Sequence, residues 1–496
     1  MKALTTAAVL SLCSKHALAL SNGLTHSGEL TSQAYQESIT IDGLLAHAKK
    51  WQEFADRANG TRSFDTKGYK LSADYVHDLA KSSGYKVNRQ TVKFPRSTIR
   101  SQELQINDKV FGPGEVIALI NSPPTPKEGI NASLALVLDE PSTFTGPGCN
   151  SDDYDGLDVR KAVVFMSSSG CTFATKSAVA KRAGALGVVI YNDVPGKGPI
   201  QGQISSNASE NLPTVMIGYD DAQEYIKILR ADEFPERVAI TMKVDSSMKV
   251  VESYNIIAQT RWGNKDNVIH VGAHLDSVPA GPGINDNGSG SAAIAELLVQ
   301  LAKLKSSVNA VRFSWWTNGE NGSIGSKHYI DSLSGEERKK IAMYINVDTI
   351  ASPNYIYGIH DGSNSSEFNT IVPPPGSAAL ERLFQADFES KNIPWAIAGF
   401  TSSSDYDAFA KVGIPVGGLV TGGDGIKSEA QAAKFGGQAG VPFDKCYHQT
   451  CDTIDNLAKD AFLVNARSIA HVIATAANST AVVDAERAVG GVKVKA

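Results

Sequence analysis

The sequence predicts an α/β protein with a second, smaller domain set into the first, and three observations predict it. After Tyr254, short apolar runs alternate with amphipathic stretches, as strands and covering helices do. A separate β-α-β pattern lies between a proline break at Pro123, Pro124 and Pro126 and a charged stretch at Arg230–Arg237. The chain has 496 residues, more than one ordinary domain uses.

Along the chain, Lys2, the small apolar run Ala3–Cys13 and Ala17-Leu18-Ala19 read as a secretory signal peptide, residues 1–19, cut after Ala19. Leu44–Ala58 reads as a helix with Leu44, Leu45, Ala48, Trp51, Phe54 and Ala55 on one side. Ser72–Ser83 reads as a second helix, ended by Gly84, and Tyr85–Phe94 as a strand. These place residues 20–124 in the first part of the main domain. The insertion, 125–245, contains the strand Ala162–Met166, the helix Lys176–Ala185 and the strands Gly187–Tyr191 and Asn211–Tyr219. The main domain resumes over 246–484. Val268–Ala273, Val311–Thr317 and Ile341–Val347 are its strands, and Ser326–Leu333 is a helix. Ser291–Lys305 is another, with Ile294, Leu297, Leu298, Leu301 and Leu304 on one face. Gly413–Gly440 reads as a long loop shaping a cleft, and 485–496 as a polar tail that frays.

A hydrophobic content of 42% with 20% charged residues is globular composition. The net charge of −5 gives no argument for nucleic acid or an anionic membrane as partner. No later apolar run reaches the ~18 residues of a membrane span. A secreted, extracellular monomer is expected. Without the leader four cysteines remain, and their proximity favours Cys149–Cys171 and Cys446–Cys451 disulfides. Sequons at Asn59, Asn131, Asn207, Asn287, Asn321, Asn364 and Asn478 fit a glycoprotein, with Asn287 and Asn321 expected bare.

Those two lie inside motifs that carry chemistry. GAHLDSV (Gly272–Val278), GPGINDNGSG (Gly281–Gly290) and NVDTIASPN (Asn346–Asn354) supply His274, Asp286 and Asp348. WWTNGENGSIGS (Trp315–Ser326) supplies Glu320, and CYHQTCD (Cys446–Asp452) supplies His448. His274, Glu320 and Asp348 fall just past strand ends, where open α/β sheets build sites. Two imidazoles and three carboxylates suit a pair of Zn²⁺ ions if one carboxylate is shared. Asp276, two residues after His274, is placed to orient that ring. Neither motif decides alone: His-x-Asp occurs in ordinary cores, and Asn-Asp-Asn-Gly is ordinarily a turn. Their combination on one sheet carries the weight.

GAHLDSV, GPGINDNGSG, FSWWTNGENGSIGS, NVDTIASPN, FGGQAG and CYHQTCDTIDN resemble the landmarks of the secreted and vacuolar di-zinc aminopeptidases of the fungal leucine aminopeptidase and aminopeptidase Y kind. The resemblance spans about Leu44 to Asn456. Lys161–Asp193 is similar to the protease-associated domain inserted in such enzymes. The resemblance implies a mixed central sheet flanked by helices, of zinc-peptidase type, with that smaller α+β domain inserted. It implies two Zn²⁺ ions per chain, one on His274 and Asp348, the other on Glu320 and His448, with Asp286 bridging. Asp276 would orient His274, and Tyr447 would donate its hydroxyl to the tetrahedral intermediate. The substrates implied are peptide or protein N-termini.

Two positions depart. The family reads Trp-x-Ala-Glu-Glu-x-Gly where this chain reads Trp316-Thr317-Asn318-Gly319-Glu320-Asn321-Gly322. Gly319 therefore stands at the general base. Related sequences also carry Arg before a Ser-Asp pair where this chain has Ser403. Two functions follow: a zinc aminopeptidase impaired at Gly319, or a zinc-binding pseudopeptidase that holds peptides or proteins without cutting them. On the first, Gly319→Glu is expected to raise kcat, since a general base is worth typically ~10²–10⁴-fold.

Overall fold

The apolar runs after Tyr254 lie side by side as strands of one sheet. The computed structural model describes residues 30–138, 146–205, 208–230, 238–304 and 306–490. The leader read at 1–19 lies outside them. The chain divides into two units, Met1–Gln90 with Tyr254–Ala496, and Thr91–Ser253. The second unit is wider than 125–245 because its boundaries fall inside two long strands, Lys86–Ile106 and Ala239–Gln259. The proline signal marks a loop beyond the first of those strands, residues 231–237 of the charged stretch lie outside the described residues, and an extended strand gives no break to read.

In the first unit the sheet order is Ala396–Ala398, Gly358–His360, Val416–Val420, Ile341–Val347, Asn264–His274, Asn309–Trp316 and the end of Ala239–Gln259. Asn264–His274 runs parallel to both neighbours. The pairings of Asn309–Trp316 with 256–259 and of Gly358–His360 with Val416–Val420 are antiparallel. The sheet is mixed and flanked by helices. Ile41–Asp56, Lys67–Ser82, Gly288–Leu304 and Lys459–Asn478 share one core, with Trp51, Leu297, Phe313 and Phe462 buried in it. A second cluster holds Trp316, Tyr329, Tyr344 and Phe409, the last two stacked at 3.7 Å. Burial on both faces is why the central strands read as unbroken apolar runs. The helices Ile41–Asp56 and Lys67–Ser82 start before their apolar pattern does, because Thr40 and Thr66 cap them, accepting the Gly43 and Tyr69 amides.

Two sequence expectations fail here. Gly413–Gly440 is not one loop: it contains the strand Val416–Val420 and the helix Glu429–Phe435. Gly418 belongs in that strand because a Cβ there would lie 2.2 Å from the Asn346 carbonyl oxygen. The tail does not fray from Ala485, since Ala481–Gly490 is a helix. Glu486 ties it down by accepting the Ala379 amide and pairing with Arg382.

In the second unit Ile130–Leu136, Ala162–Ser167, Gly187–Tyr191 and Thr214–Ile217 are parallel, with Val116–Ala118 antiparallel at the edge. The helices Phe173–Ala183 and Tyr219–Leu229 belong to it. Cys149 and Cys171 are bonded there, and Cys446 and Cys451 in the first unit. Among the described residues no helix is long and apolar enough to cross a membrane.

Candidate functional site

Loops at the carboxyl ends of the central strands bring five side chains together. His274 is the last residue of Asn264–His274, and Asp348 follows Ile341–Val347. Glu320 lies in the turn after Asn309–Trp316, and Asp286 in the turn before the helix Gly288–Leu304. His274 Nε2 is 3.4 Å from Asp286 Oδ1 and 3.5 Å from Asp348 Oδ1. His448 Nε2 is 3.0 Å from Asp286 Oδ2 and 3.2 Å from Glu320 Oε2. Asp286 thus offers one oxygen to each imidazole.

Each position has a local cause. The Cys446–Cys451 disulfide closes a short loop, and within it His448 adopts a left-handed backbone at φ 58°. Asp452, the residue after that disulfide, accepts the amides of Asn285 at 2.8 Å and Asp286 at 3.0 Å. It stitches the loop to the Asp286 turn. Asn287 is fully buried and bonded to the Val347 carbonyl, so its sequon is closed to a glycan. Ser404 Oγ donates to Asp348 Oδ2 at 2.6 Å and accepts from Asn346. Ser403, beside it, is exposed and bonds Thr401 and Tyr406 rather than Asp348.

Asp276 is fully buried, with its Oδ1 3.7 Å from His274 Nδ1. The closer contact of that nitrogen is the Asp276 carbonyl oxygen, at 3.2 Å. The carboxylate takes the Gly319 amide at 2.8 Å and the Glu320 amide at 3.4 Å. It therefore anchors the Glu320 turn as well as flanking His274. The Tyr447 ring stacks on His448 at 3.9 Å. The charge of Asp286, then burial and Glu320, hold the Tyr447 hydroxyl well above its ordinary pKa, so it remains a proton donor.

Gly319 is packed against His274. A Cβ on it would lie 2.3 Å from His274 Cβ and 2.4 Å from His274 Cγ. The expected rescue by Gly319→Glu meets this obstacle: the Cβ direction is filled by the imidazole, so no side chain fits unless the turn moves.

Sequence reasoning missed Arg62, Asp452 and Ser404. Arg62 is fully buried and donates to the carbonyls of Leu275, Pro282 and Gly283, on both sides of the His274 and Asp286 loops. Its partners are backbone oxygens, so it brings a positive charge to the carboxylate group. Burial lowers its pKa to about 10, which leaves it charged at neutral pH. One arginine in a loop carries no pattern to read. Asp452 had a signal, its place directly after the second cysteine of the histidine loop.

The donor set can hold a metal. Ligand atoms of His274, Asp286 and Glu320 lie within 4.8 Å of one another. Glu320 Oε1 is buried without a hydrogen-bond partner, a costly state for a carboxylate oxygen unless a cation meets it. Burial and then the Asp286 charge push Glu320 up to about 8. For His448 burial opposes the charged form, but contacts with Asp286 and Glu320 outweigh it and raise the pKa to about 10. A metal bound to such a cluster would displace these protons. Nitrogen and oxygen donors of this kind suit zinc.

A mixed α/β sheet with imidazoles and carboxylates meeting at its strand ends is the construction of a metallohydrolase. Residues 255–473 match Peptidase family M28, and 131–225 match the PA domain. The chain is 37% identical to "Leucine aminopeptidase 2" of Arthroderma otae, over 90% of this chain and 86% of that one. It is also 37% identical to an "Aminopeptidase" of Pseudomonas aeruginosa, over 92% and 84%. An aminopeptidase from Aneurinibacillus shares the fold, with TM-score 0.73 and 23% identity over 90% of this chain and 96% of that one. The chain belongs to Peptidase family M28 and carries a PA domain inserted in the peptidase fold. By resemblance to these relatives it is a metallo-aminopeptidase.

Proposed function

We propose that this protein is a secreted, zinc-dependent aminopeptidase-like hydrolase that releases N-terminal residues from peptides, with a slow chemical step. Two zinc ions are assigned, one to His274 and Asp348, one to Glu320 and His448, with Asp286 shared. The observation that carries this reading is Asp286, with one carboxylate oxygen on the His274–Asp348 side and the other on the His448–Glu320 side. Bound zinc supplies Lewis acidity, lowering the pKa of water and polarising a carbonyl. Asp276 orients His274 and fixes the Glu320 turn. Tyr447 keeps its proton and offers a hydrogen bond to the oxyanion. Position 319 offers no acceptor for the proton of the attacking water. The leader pattern and the two disulfides support an oxidising, extracellular destination.

A second reading, a pseudopeptidase that binds peptide N-termini without turnover, is favoured by the packing of Gly319 on His274. Mass spectrometry of defined peptides incubated with zinc-loaded and chelator-treated protein separates the two. The first reading expects stepwise loss of N-terminal residues, abolished by the chelator. Internal or C-terminal cleavage would overturn both readings, and intact peptides retained on the protein would select the second.

A further inference from the structure

Many cations of the first unit sit beside a carboxylate: Arg89 by Asp74, Lys340 by Asp266, Lys391 by Asp387, Lys411 by Asp407. Four that share a cavity do not. Lys86, Arg261, Lys265 and Arg312 line one space of about 550 Å³, the size of a small-molecule site. Among the described residues none of the four has a carboxylate within ion-pairing distance. All the lining residues belong to the first unit.

Arg312 is the fixed element. It sits on the strand Asn309–Trp316, opposite Gln259 in register. Its Nε and Nη2 both donate to Gln259 Oε1, at 2.9 and 2.5 Å, and its Nη1 donates to the Tyr329 hydroxyl. These partners are neutral, so they hold the guanidinium without neutralising it. Arg261 is steadied by the Gly84 carbonyl at 3.1 Å, also neutral. The one acid lining the cavity is Glu337, whose Oε2 already accepts the Ser334 amide and hydroxyl at 2.8 Å each, in a helix capping box. A chain of net charge −5 thus gathers four cations against one carboxylate around one concave space. Such a field concentrates anions, and guanidinium and ammonium groups together suit tetrahedral oxyanions.

We propose that this cavity binds a small polyanion bearing phosphate or sulfate groups. Arg312 is the preset contact, and Lys86 and Lys265 are flexible ones. The proposal is independent of the peptidase reading.

The test is calorimetric titration with two probes, inorganic pyrophosphate and a sulfated disaccharide. It uses zinc-loaded and chelator-stripped protein, because pyrophosphate also binds zinc. The variant is Lys86→Gln with Lys265→Gln, two exposed side chains whose loss leaves the core intact; its melting curve checks that. Saturable one-to-one binding of at least one probe is expected in both metal states. Added salt should weaken it, and so should the double variant, by about ten-fold or more, since two charge-assisted contacts go. Whichever probe binds tells a phosphate source from a sulfated saccharide. Binding that vanishes on stripping, binding unchanged in the double variant, or no saturable binding of either probe would overturn the proposal.

Discussion

The Cys446–Asp452 loop and the Thr317–Gly325 turn each bring one donor to Asp286, and they are held by opposite means. The first is closed by a disulfide and stitched through Asp452 to the Asp286 turn itself. The second has no covalent closure. Asn318, Gly322 and Ser323 are left-handed in it, and its base rests on the Asn255 side chain, which bonds the Thr317 amide and the Gly325 carbonyl. Its tip hangs on the Asp276 carboxylate. The family's residue types persist in the covalently fixed loop and depart in the hydrogen-bonded turn. The difference teaches that Gly319 is more than a missing side chain. The space where its side chain would have to go is filled by the His274 side chain.

The largest effect should come from the residue both regions share. Asp286→Ala removes the oxygens facing both imidazoles, and zinc content measured by atomic absorption should fall below about one ion per chain. Retention of two ions would break the comparison at its centre. Next comes Asp276→Asn, which can offer only one oxygen to the two amides and turns an N–H toward the other. Zinc affinity should fall by about 10–100-fold, read by chelator competition. An unchanged affinity would mean that the turn is held as firmly as the disulfide loop. A smaller effect is expected of Gly319→Ala. Its Cβ collides with His274, so the zinc-free protein should lose about 1–3 kcal/mol, read by thermal unfolding. Equal stability would show that the turn yields easily, and Gly319→Glu would then regain its promise as a rescue.

The sequence exposes the clustered side chains well and their supports poorly. Strand ends are visible because a buried central strand is continuously apolar, so His274 and Asp348 are readable at their termini. The Asp286 turn and the His448 loop could be read because glycines and cysteines mark them. Arg62 could not be found, since its partners are backbone carbonyls of residues more than two hundred positions away. The strand Val416–Val420 was hidden by Gly417 and Gly418, which weaken a strand pattern yet let neighbouring atoms approach. The crowding at Gly319 was hidden as well. A glycine in a sequence says that a side chain is absent, not what has taken its place.

A site whose side chains could hold a metal has no proton acceptor at position 319. The most direct test is kcat of the zinc-loaded native protein on a saturating leucyl substrate. Loss of a general base predicts a value about 10²–10⁴-fold below that of an ordinary enzyme of its kind. A kcat within about ten-fold of that enzyme's would show that another group takes the proton and would contradict the account.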